Sequence, residues 1–142
     1  MKKFLVINGV NLNMTGIREP GVYGSETLDD INNYIAKQMK SYDCSVDFFQ
    51  SNIEGEIVNK IHQCMGNYDS VVINPGAFTH YSIAIRDAIS SVNVDFVEVH
   101  ISNVYKREEF RHKSVTAPVC KGQIAGFGKQ GYVLALKSFM ES

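Results

Sequence analysis

Short apolar runs alternate along this chain with segments of helical periodicity, and this alternation limits the possible folds more than any other feature. Strands are predicted at residues 4–7, 46–49, 71–73, 96–101 and 123–125, and helices at 28–39, 57–65, 82–89 and 129–140. Strands that alternate with helices form a parallel sheet with right-handed crossovers and helices on both faces. The sequence therefore predicts a single α/β domain over residues 1–142, a flavodoxin-like doubly wound five-stranded parallel sheet of order 2-1-3-4-5.

Composition and charge argue against several classes of protein. The formal net charge is -1 and no basic face is sustained, which argues against nucleic acid as a partner. No run approaches the ~20 apolar residues of a membrane helix, so we expect no membrane partner. Cys44, Cys64 and Cys120 are odd in number and lack CxxC spacing. They indicate reduced thiols in a cytoplasmic protein and no metal site.

Polar side chains follow three of the predicted strands. In an open parallel sheet these exits meet at the carboxyl edge, where ligands bind. The exits of strands one, three and four supply Asn11, Asn13, Asn74, Thr79, His80, His100, Ser102 and Asn103. Residues 14–24 lack periodicity and are predicted to form a binding loop or lid that adds Arg18 and Tyr23. This set favours a small polyhydroxylated acid over a nucleotide as ligand.

The fourth strand carries the most informative pattern. Val97, Val99 and Ile101 alternate with Glu98, His100 and Ser102. The spacing of two puts Glu98 and His100 on one face, where the carboxylate can hold the imidazole in one tautomer. Arg107 and Arg111 follow, which indicates a pocket for an anion.

Structural roles remain as alternatives for three of these features. Asn74-Pro75-Gly76 is also typical of a plain turn. Residues 106–109 are also typical of the start of a solvated helix, and Tyr23 could be a packing anchor for its loop.

A resemblance to a known family rests on a series of motifs in order along the chain. They are Asn8-Gly9-Val10-Asn11-Leu12-Asn13, Arg18-Glu19-Pro20 with Tyr23-Gly24, Gln50-Ser51-Asn52 with Glu54-Gly55, Asn74-Pro75-Gly76-Ala77 with Thr79-His80, Ile85-Arg86-Asp87-Ala88, Glu98-Val99-His100-Ile101-Ser102-Asn103, Arg107-Glu108-Glu109-Phe110-Arg111-His112-Lys113-Ser114 and Gly131-Tyr132. From about residue 4 to residue 139 the chain resembles the type II 3-dehydroquinate dehydratases, whose fold is flavodoxin-like.

The resemblance implies dehydration of 3-dehydroquinate to 3-dehydroshikimate by trans elimination through an enolate, with no metal or cofactor. Tyr23 would be the base, with its phenolate favoured by Arg18 or by Arg107. Asn11 would stabilise the enolate through a water, and His100, oriented by Glu98, would protonate the leaving hydroxyl.

The resemblance also implies how the substrate is held and how the chain assembles. Asn74 and the backbone amides of Ile101 and Ser102 would bind the substrate carboxylate, and His80 and Arg111 would contact ring hydroxyls. The resemblance further implies a homododecamer, built as a tetramer of trimers, in which Asp87 would reach the site from a neighbouring subunit. The chain departs from the usual family pattern at Val10, Phe78, Tyr81 and Asp95, none of which replaces a residue with a chemical role.

Other functions remain open at the level of sequence. The same reaction serves either the shikimate pathway, and so aromatic amino acid biosynthesis, or the catabolism of quinate. A flavodoxin-like binding or signalling module is a second class, but residues 8–13 lack the hydroxyl side chains of an FMN phosphate loop and the acidic pair of a phospho-receiver. A shell protein without activity and a cysteine hydrolase are the remaining alternatives.

Overall fold

The computed structural model describes residues 1–17 and 25–141 and contains one parallel sheet of five strands in the order β2-β1-β3-β4-β5. The strands are β1 (Lys2–Val10), β2 (Cys44–Gln50), β3 (Ser70–Gly76), β4 (Asp95–His100) and β5 (Gly122–Ala125). The helices described are α1 (Leu28–Met39), α2 (Glu54–Gln63), α3 (Ile83–Ser91) and α4 (Gln130–Met140). The predicted fold class and strand order are confirmed.

Two apolar layers cover the two faces of the sheet. Alternate residues of β1 point to opposite faces, so Phe4 and Val6 belong to one layer and Leu5 and Ile7 to the other. Helices α1 and α4 cover the first face, and α2 and α3 cover the second. Because the central strands are buried on both faces, they read in sequence as continuous apolar runs.

The helix ends follow local capping chemistry. Thr27 accepts a hydrogen bond from the backbone N–H of Asp30, and the Asp30 carboxylate accepts one from the Thr27 N–H, so the two residues form a capping box at the start of α1. Ser82 caps α3 in the same manner through the Ile85 N–H. Helix α2 ends at Gln63, a few residues before the predicted stop at Gly66.

Strands β1 and β3 run further toward the carboxyl edge than the sequence predicted. Residues 74–76 are the last residues of β3 rather than a plain turn, and β1 continues through Asn8 to Val10. The two strand ends approach closely there. A Cβ on Gly9 would lie 2.2 Å from the Pro75 carbonyl oxygen, and one on Gly76 would lie 2.6 Å from that of Val10. Glycine is needed at both positions, and Gly76 also has a φ of 64°.

The connection between β4 and β5 is built from short 3₁₀ turns. They span Val104–Lys106, Glu109–Arg111 and Ala117–Val119, so residues 106–109 do not begin an α-helix, which was the structural alternative for them. This connection folds over the carboxyl ends of β3 and β4, where the Val115 N–H donates to the Thr79 carbonyl. No helix in the described ranges has the length and apolar character needed to span a membrane.

Candidate active site

A cavity of about 150 Å³ lies beyond the carboxyl ends of β1, β3 and β4. Its position is the one predicted for an open parallel sheet. The predicted site residues that line it are Asn11, Asn74, His80, His100, Ile101, Ser102, Arg107 and Arg111. A space of this size suits a single-ring molecule better than a nucleotide cofactor.

His100 and Glu98 form a buried pair on one wall of the cavity. The His100 Nε2 lies 2.9 Å from the Glu98 Oε2, and the two residues are 7% and 0% exposed. Because an ionised carboxylate only accepts hydrogen bonds, the Nε2 carries a proton. The prediction that Glu98 and His100 share one face of β4 is confirmed.

Glu98 accepts hydrogen bonds from three further side chains. Gln123 donates from 2.7 Å, Ser114 from 2.9 Å, and the Thr116 hydroxyl donates to the other carboxylate oxygen. Burial raises the pKa of Glu98, but the hydrogen bonds from His100, Thr116 and Gln123 outweigh it and hold the pKa below its ordinary value. Glu98 is therefore a satisfied, buried anion behind the imidazole.

His80 lies beside His100 with a different partner. The two rings are 6.5 Å apart and within 18° of parallel. The His80 Nδ1 donates to the Lys113 carbonyl oxygen at 2.8 Å, which fixes its tautomer. Burial lowers the pKa of His80, and the neighbouring His100 and Arg111 lower it further, so His80 is neutral at pH ~7.

Two arginines line the cavity and bring positive charge to it, part of which the nearby Glu108 carboxylate offsets. Arg107 Nη1 lies 3.4 Å from the Ser102 hydroxyl, and Arg111 donates to Glu108 at 3.1 Å while stacking on the Phe110 ring. Among the described residues, no aspartate or glutamate lines the cavity. The lining therefore favours an anionic ligand with several hydrogen-bonding groups.

Asn11 enters the cavity from a tight turn at the end of β1. Its φ of 66° is left-handed, a conformation that asparagine tolerates. Its backbone N–H donates to the Asn52 Oδ1 at 2.8 Å, and Gln50 donates to the same oxygen at 3.1 Å. Polar residues at the end of β2 and just after it thus hold the turn that presents Asn11.

Several predicted positions do not belong to this cavity. Asn13 lines a separate surface depression, Thr79 is buried, and Asn103 caps the turn at Val104–Lys106. Asp87 is exposed on α3 and does not line this chain's cavity, so its role across a subunit boundary stays a prediction. Arg18 and Tyr23 lie outside the described residues, and their roles stay predictions too.

Of the four departures from the family pattern, one reaches the cavity. Val10 lines it, whereas Tyr81 is exposed and Phe78 is buried against Tyr81 with their rings 5.9 Å apart.

Sequence reasoning missed the residues that support the site from behind. Gln123, Ser114 and Thr116 hold Glu98, and Tyr132 contacts Asn74. A signal existed for Gln123, because the parallel register of β4 and β5 places it opposite Glu98. The only sequence signal for Tyr132 was its position in the Gly131-Tyr132 motif, which implied no role for it.

A doubly wound sheet that holds a carboxylate–histidine pair and two arginines at its carboxyl edge defines an acid–base site for a small anion. The chain belongs to the dehydroquinase class II family, whose model matches residues 2–140. It is 55% identical over 137 residues to the 3-dehydroquinate dehydratase of Clostridium beijerinckii, covering 96% of this chain and 94% of that one. It is also 55% identical to the 3-dehydroquinate dehydratase of Caldicellulosiruptor bescii, with 99% and 98% covered. The crystal structure of the type II dehydroquinase of Butyrivibrio crossotus superposes with a TM-score of 0.95 at 53% identity, over 99% of this chain and 98% of that one.

Proposed function

We propose that this protein is a 3-dehydroquinate dehydratase, a hydro-lyase that converts 3-dehydroquinate to 3-dehydroshikimate in the shikimate pathway. The observation that carries the proposal is the buried His100–Glu98 pair on the wall of a cationic cavity, in a chain of the dehydroquinase class II family. The reaction removes a proton alpha to a ketone and expels a hydroxyl group as water. It therefore needs a base, a stabiliser for the enolate and an acid.

Tyr23 is the base in this proposal. A phenol has an ordinary pKa near ~10, so a nearby cation must favour the phenolate. Arg18 is that cation, with Arg107 as the alternative that lines the cavity. Residues 14–24 act as a lid that closes on the substrate and carries Arg18 and Tyr23 to it.

Asn11 stabilises the enolate that forms next, and His100 protonates the leaving hydroxyl. As the C–H bond breaks, the electron pair passes into the enolate, whose oxygen receives a hydrogen bond from Asn11 through a water. The enolate then collapses and the C–O bond breaks, while protonated His100 gives its proton to the departing oxygen. Glu98 supports this step because its buried negative charge stabilises the imidazolium.

The other cavity residues bind the substrate. Asn74 and the backbone N–H groups of Ile101 and Ser102 hold the carboxylate, and His80 and Arg111 contact ring hydroxyls. Each of these residues offers a donor or a positive charge to an acid with several oxygens. The mechanism uses no metal or cofactor.

The assembly is part of the same proposal. We infer a cytoplasmic homododecamer, a tetramer of trimers, in which Asp87 of one subunit completes the cavity of the next. The exposed position of Asp87 on α3 leaves it available for such a contact. Light scattering on the eluting protein tests the assembly, and a mass of one to three chains would contradict it.

An ultraviolet assay with 3-dehydroquinate tests the activity, because the product is a conjugated enone that absorbs as it forms. We expect turnover in the presence of EDTA that is lost in Tyr23→Phe. The matched control is Tyr42→Phe, since Tyr42 lies at the surface, away from the cavity. Wild-type protein that folds but gives no product would overturn the proposal. A Tyr23→Phe variant with wild-type turnover would reassign the base.

A further inference from the structure

A chain of three hydrogen bonds begins at a residue that lines the cavity and leads away from it into the core. The Gly76 N–H donates to the Asn74 Oδ1 at 3.1 Å, and the Asn74 Nδ2 donates to the Tyr132 hydroxyl at 2.9 Å. The Tyr132 hydroxyl in turn donates to the Asn8 Oδ1 at 2.6 Å. Tyr132 is 0% exposed, and Asn8 and Asn74 are almost as deeply buried.

The backbone sets the direction of every bond in this chain. The Gly76 N–H can only donate, so the Asn74 atom facing it is the carbonyl oxygen and the NH₂ group faces Tyr132. The tyrosine has one proton, and since its oxygen accepts from Asn74, that proton goes to Asn8. Burial raises the pKa of Tyr132, with the Asn74 bond opposing, so the hydroxyl keeps its proton.

The Asn74 amide is therefore held at both ends. Its oxygen is fixed by Gly76 and one of its two N–H groups by Tyr132, which leaves the second N–H for a ligand in the cavity. With only the Gly76 bond, the amide plane would be able to swing about that single contact. A carboxylate in the cavity would then meet a donor of undefined direction.

We infer that Tyr132 is a positioning residue of the site: its hydroxyl, itself held by Asn8, fixes the Asn74 amide so that the second N–H points to the carboxylate of the substrate. The identity of that substrate rests on the proposed function. The orientation of Asn74 rests on the hydrogen bonds alone.

The kinetic test compares Tyr132→Phe with Tyr68→Phe. Tyr68 also donates a 2.6 Å hydrogen bond, to Asp47, but it lies outside the cavity, so its variant is a matched loss of one hydroxyl. We expect Tyr132→Phe to raise the KM for 3-dehydroquinate about tenfold, with kcat per folded molecule within about twofold of wild type. Tyr68→Phe should change neither. A purely structural role would lower thermal stability and the folded fraction but leave KM unchanged.

An NMR test does not depend on activity. It measures solvent exchange of the Asn74 side-chain amide protons in the ligand-free protein, assigned with Asn74→Ala. We expect Tyr132→Phe to speed exchange of the protected proton at least about tenfold, and Tyr68→Phe to leave it unchanged. If Tyr132→Phe does not fold, Asn8→Leu is measured in its place. Loss of the Asn8 acceptor frees the tyrosine proton to turn toward the Asn74 NH₂ group, which should shift KM and the exchange rate in the same direction.

The two tests separate the inference from the proposed function. Wild-type protein without turnover overturns the proposed function, and the exchange measurement still decides the role of Tyr132. Unchanged exchange in Tyr132→Phe overturns the inference, even if KM rises, because Tyr132 would then act by another route. A similar rise in KM in both tyrosine variants also overturns it.

Discussion

The two histidines of the cavity lie side by side, yet they have opposite kinds of partner. His100 donates from Nε2 to the buried carboxylate of Glu98 at 2.9 Å, and His80 donates from Nδ1 to the backbone carbonyl of Lys113 at 2.8 Å. Both partners fix a tautomer. Only the partner of His100 carries a negative charge.

This difference fits the separate roles proposed for the two residues, proton transfer for His100 and substrate binding for His80. A buried anion stabilises an imidazolium, which is the form that the proposed acid must reach during the reaction. For His80, burial has the largest effect and lowers the pKa, the hydrogen bond to the Lys113 carbonyl opposes it, and the neighbouring His100 and Arg111 lower the pKa further. The lowered pKa suits the hydrogen-bonding role proposed for His80, whose ring lies 6.5 Å from that of the proposed acid.

The largest effect should come from His100→Asn, which removes the acid and keeps a polar side chain of smaller size. We expect turnover of 3-dehydroquinate to fall about 10³-fold, within the range usual for loss of a general acid. The ultraviolet assay at saturating substrate measures it, with His62→Asn on the exposed face of α2 as the control. Turnover within about tenfold of wild type would remove His100 from the proton-transfer step.

Glu98→Gln tests the charge of the partner with little change in its shape. The glutamine oxygen can still accept from the His100 Nε2, so the tautomer is kept while the negative charge is lost. The glutamine NH₂ takes the place of the oxygen that accepts from Thr116, whose hydroxyl must turn to accept instead. We expect turnover to fall about 10²-fold, less than in His100→Asn. Turnover in Glu98→Gln close to that of wild type would show that orientation by Glu98, rather than its charge, accounts for its contribution.

The same variant changes the response of stability to acid. The folded-state pKa of Glu98 lies below its ordinary value of 4.5, so Glu98 contributes stability above that value and loses it as pH falls through the folded-state pKa. Urea unfolding at about pH 7 and about pH 3 should therefore show a smaller acid-induced loss of unfolding free energy in Glu98→Gln than in wild type. An identical loss would mean that other carboxylates, such as Glu108 with its own lowered pKa, account for it.

The comparison also shows what the sequence predicted and what it did not. Period-two alternation is local, so the shared face of Glu98 and His100 followed from residues 97–102, which overlap the end of β4. The alternation of strands and helices, also read locally, predicted the parallel sheet, and the strand order came from matching its five strands to the flavodoxin-like member of the doubly wound class. Ser114 and Thr116 reach Glu98 from a connection of 3₁₀ turns with no periodicity, so only the tertiary path of the chain brings them there.

Two asparagines illustrate the same limit. Asn8 was expected to end β1, because a buried strand does not accept an unpartnered amide. The strand continues because Tyr132, which is 124 residues away in sequence, donates to it. Asn74 is predicted from sequence to bind the ligand, but the tyrosine that contacts it lies on α4 and reads in sequence as an ordinary core residue. Contacts of this kind require the assembled fold.

His80→Asn should give the smallest effect of the series. The asparagine NH₂ can still donate to the Lys113 carbonyl in place of the His80 Nδ1, while the other ring nitrogen is removed from the cavity. We expect the KM for 3-dehydroquinate to rise about tenfold and kcat to fall less than about threefold, as for the loss of one hydrogen bond to a substrate hydroxyl.

Measured beside His100→Asn, this variant decides whether the two imidazoles differ in function, because both receive the same substitution. Steady-state kinetics at several pH values give kcat and KM for each. A loss confined to KM in His80→Asn and to kcat in His100→Asn would follow from the difference between a carbonyl and a carboxylate partner. A fall of kcat in His80→Asn as large as that in His100→Asn would mean that the proton passes between the stacked rings, so that the buried charge of Glu98 serves both of them.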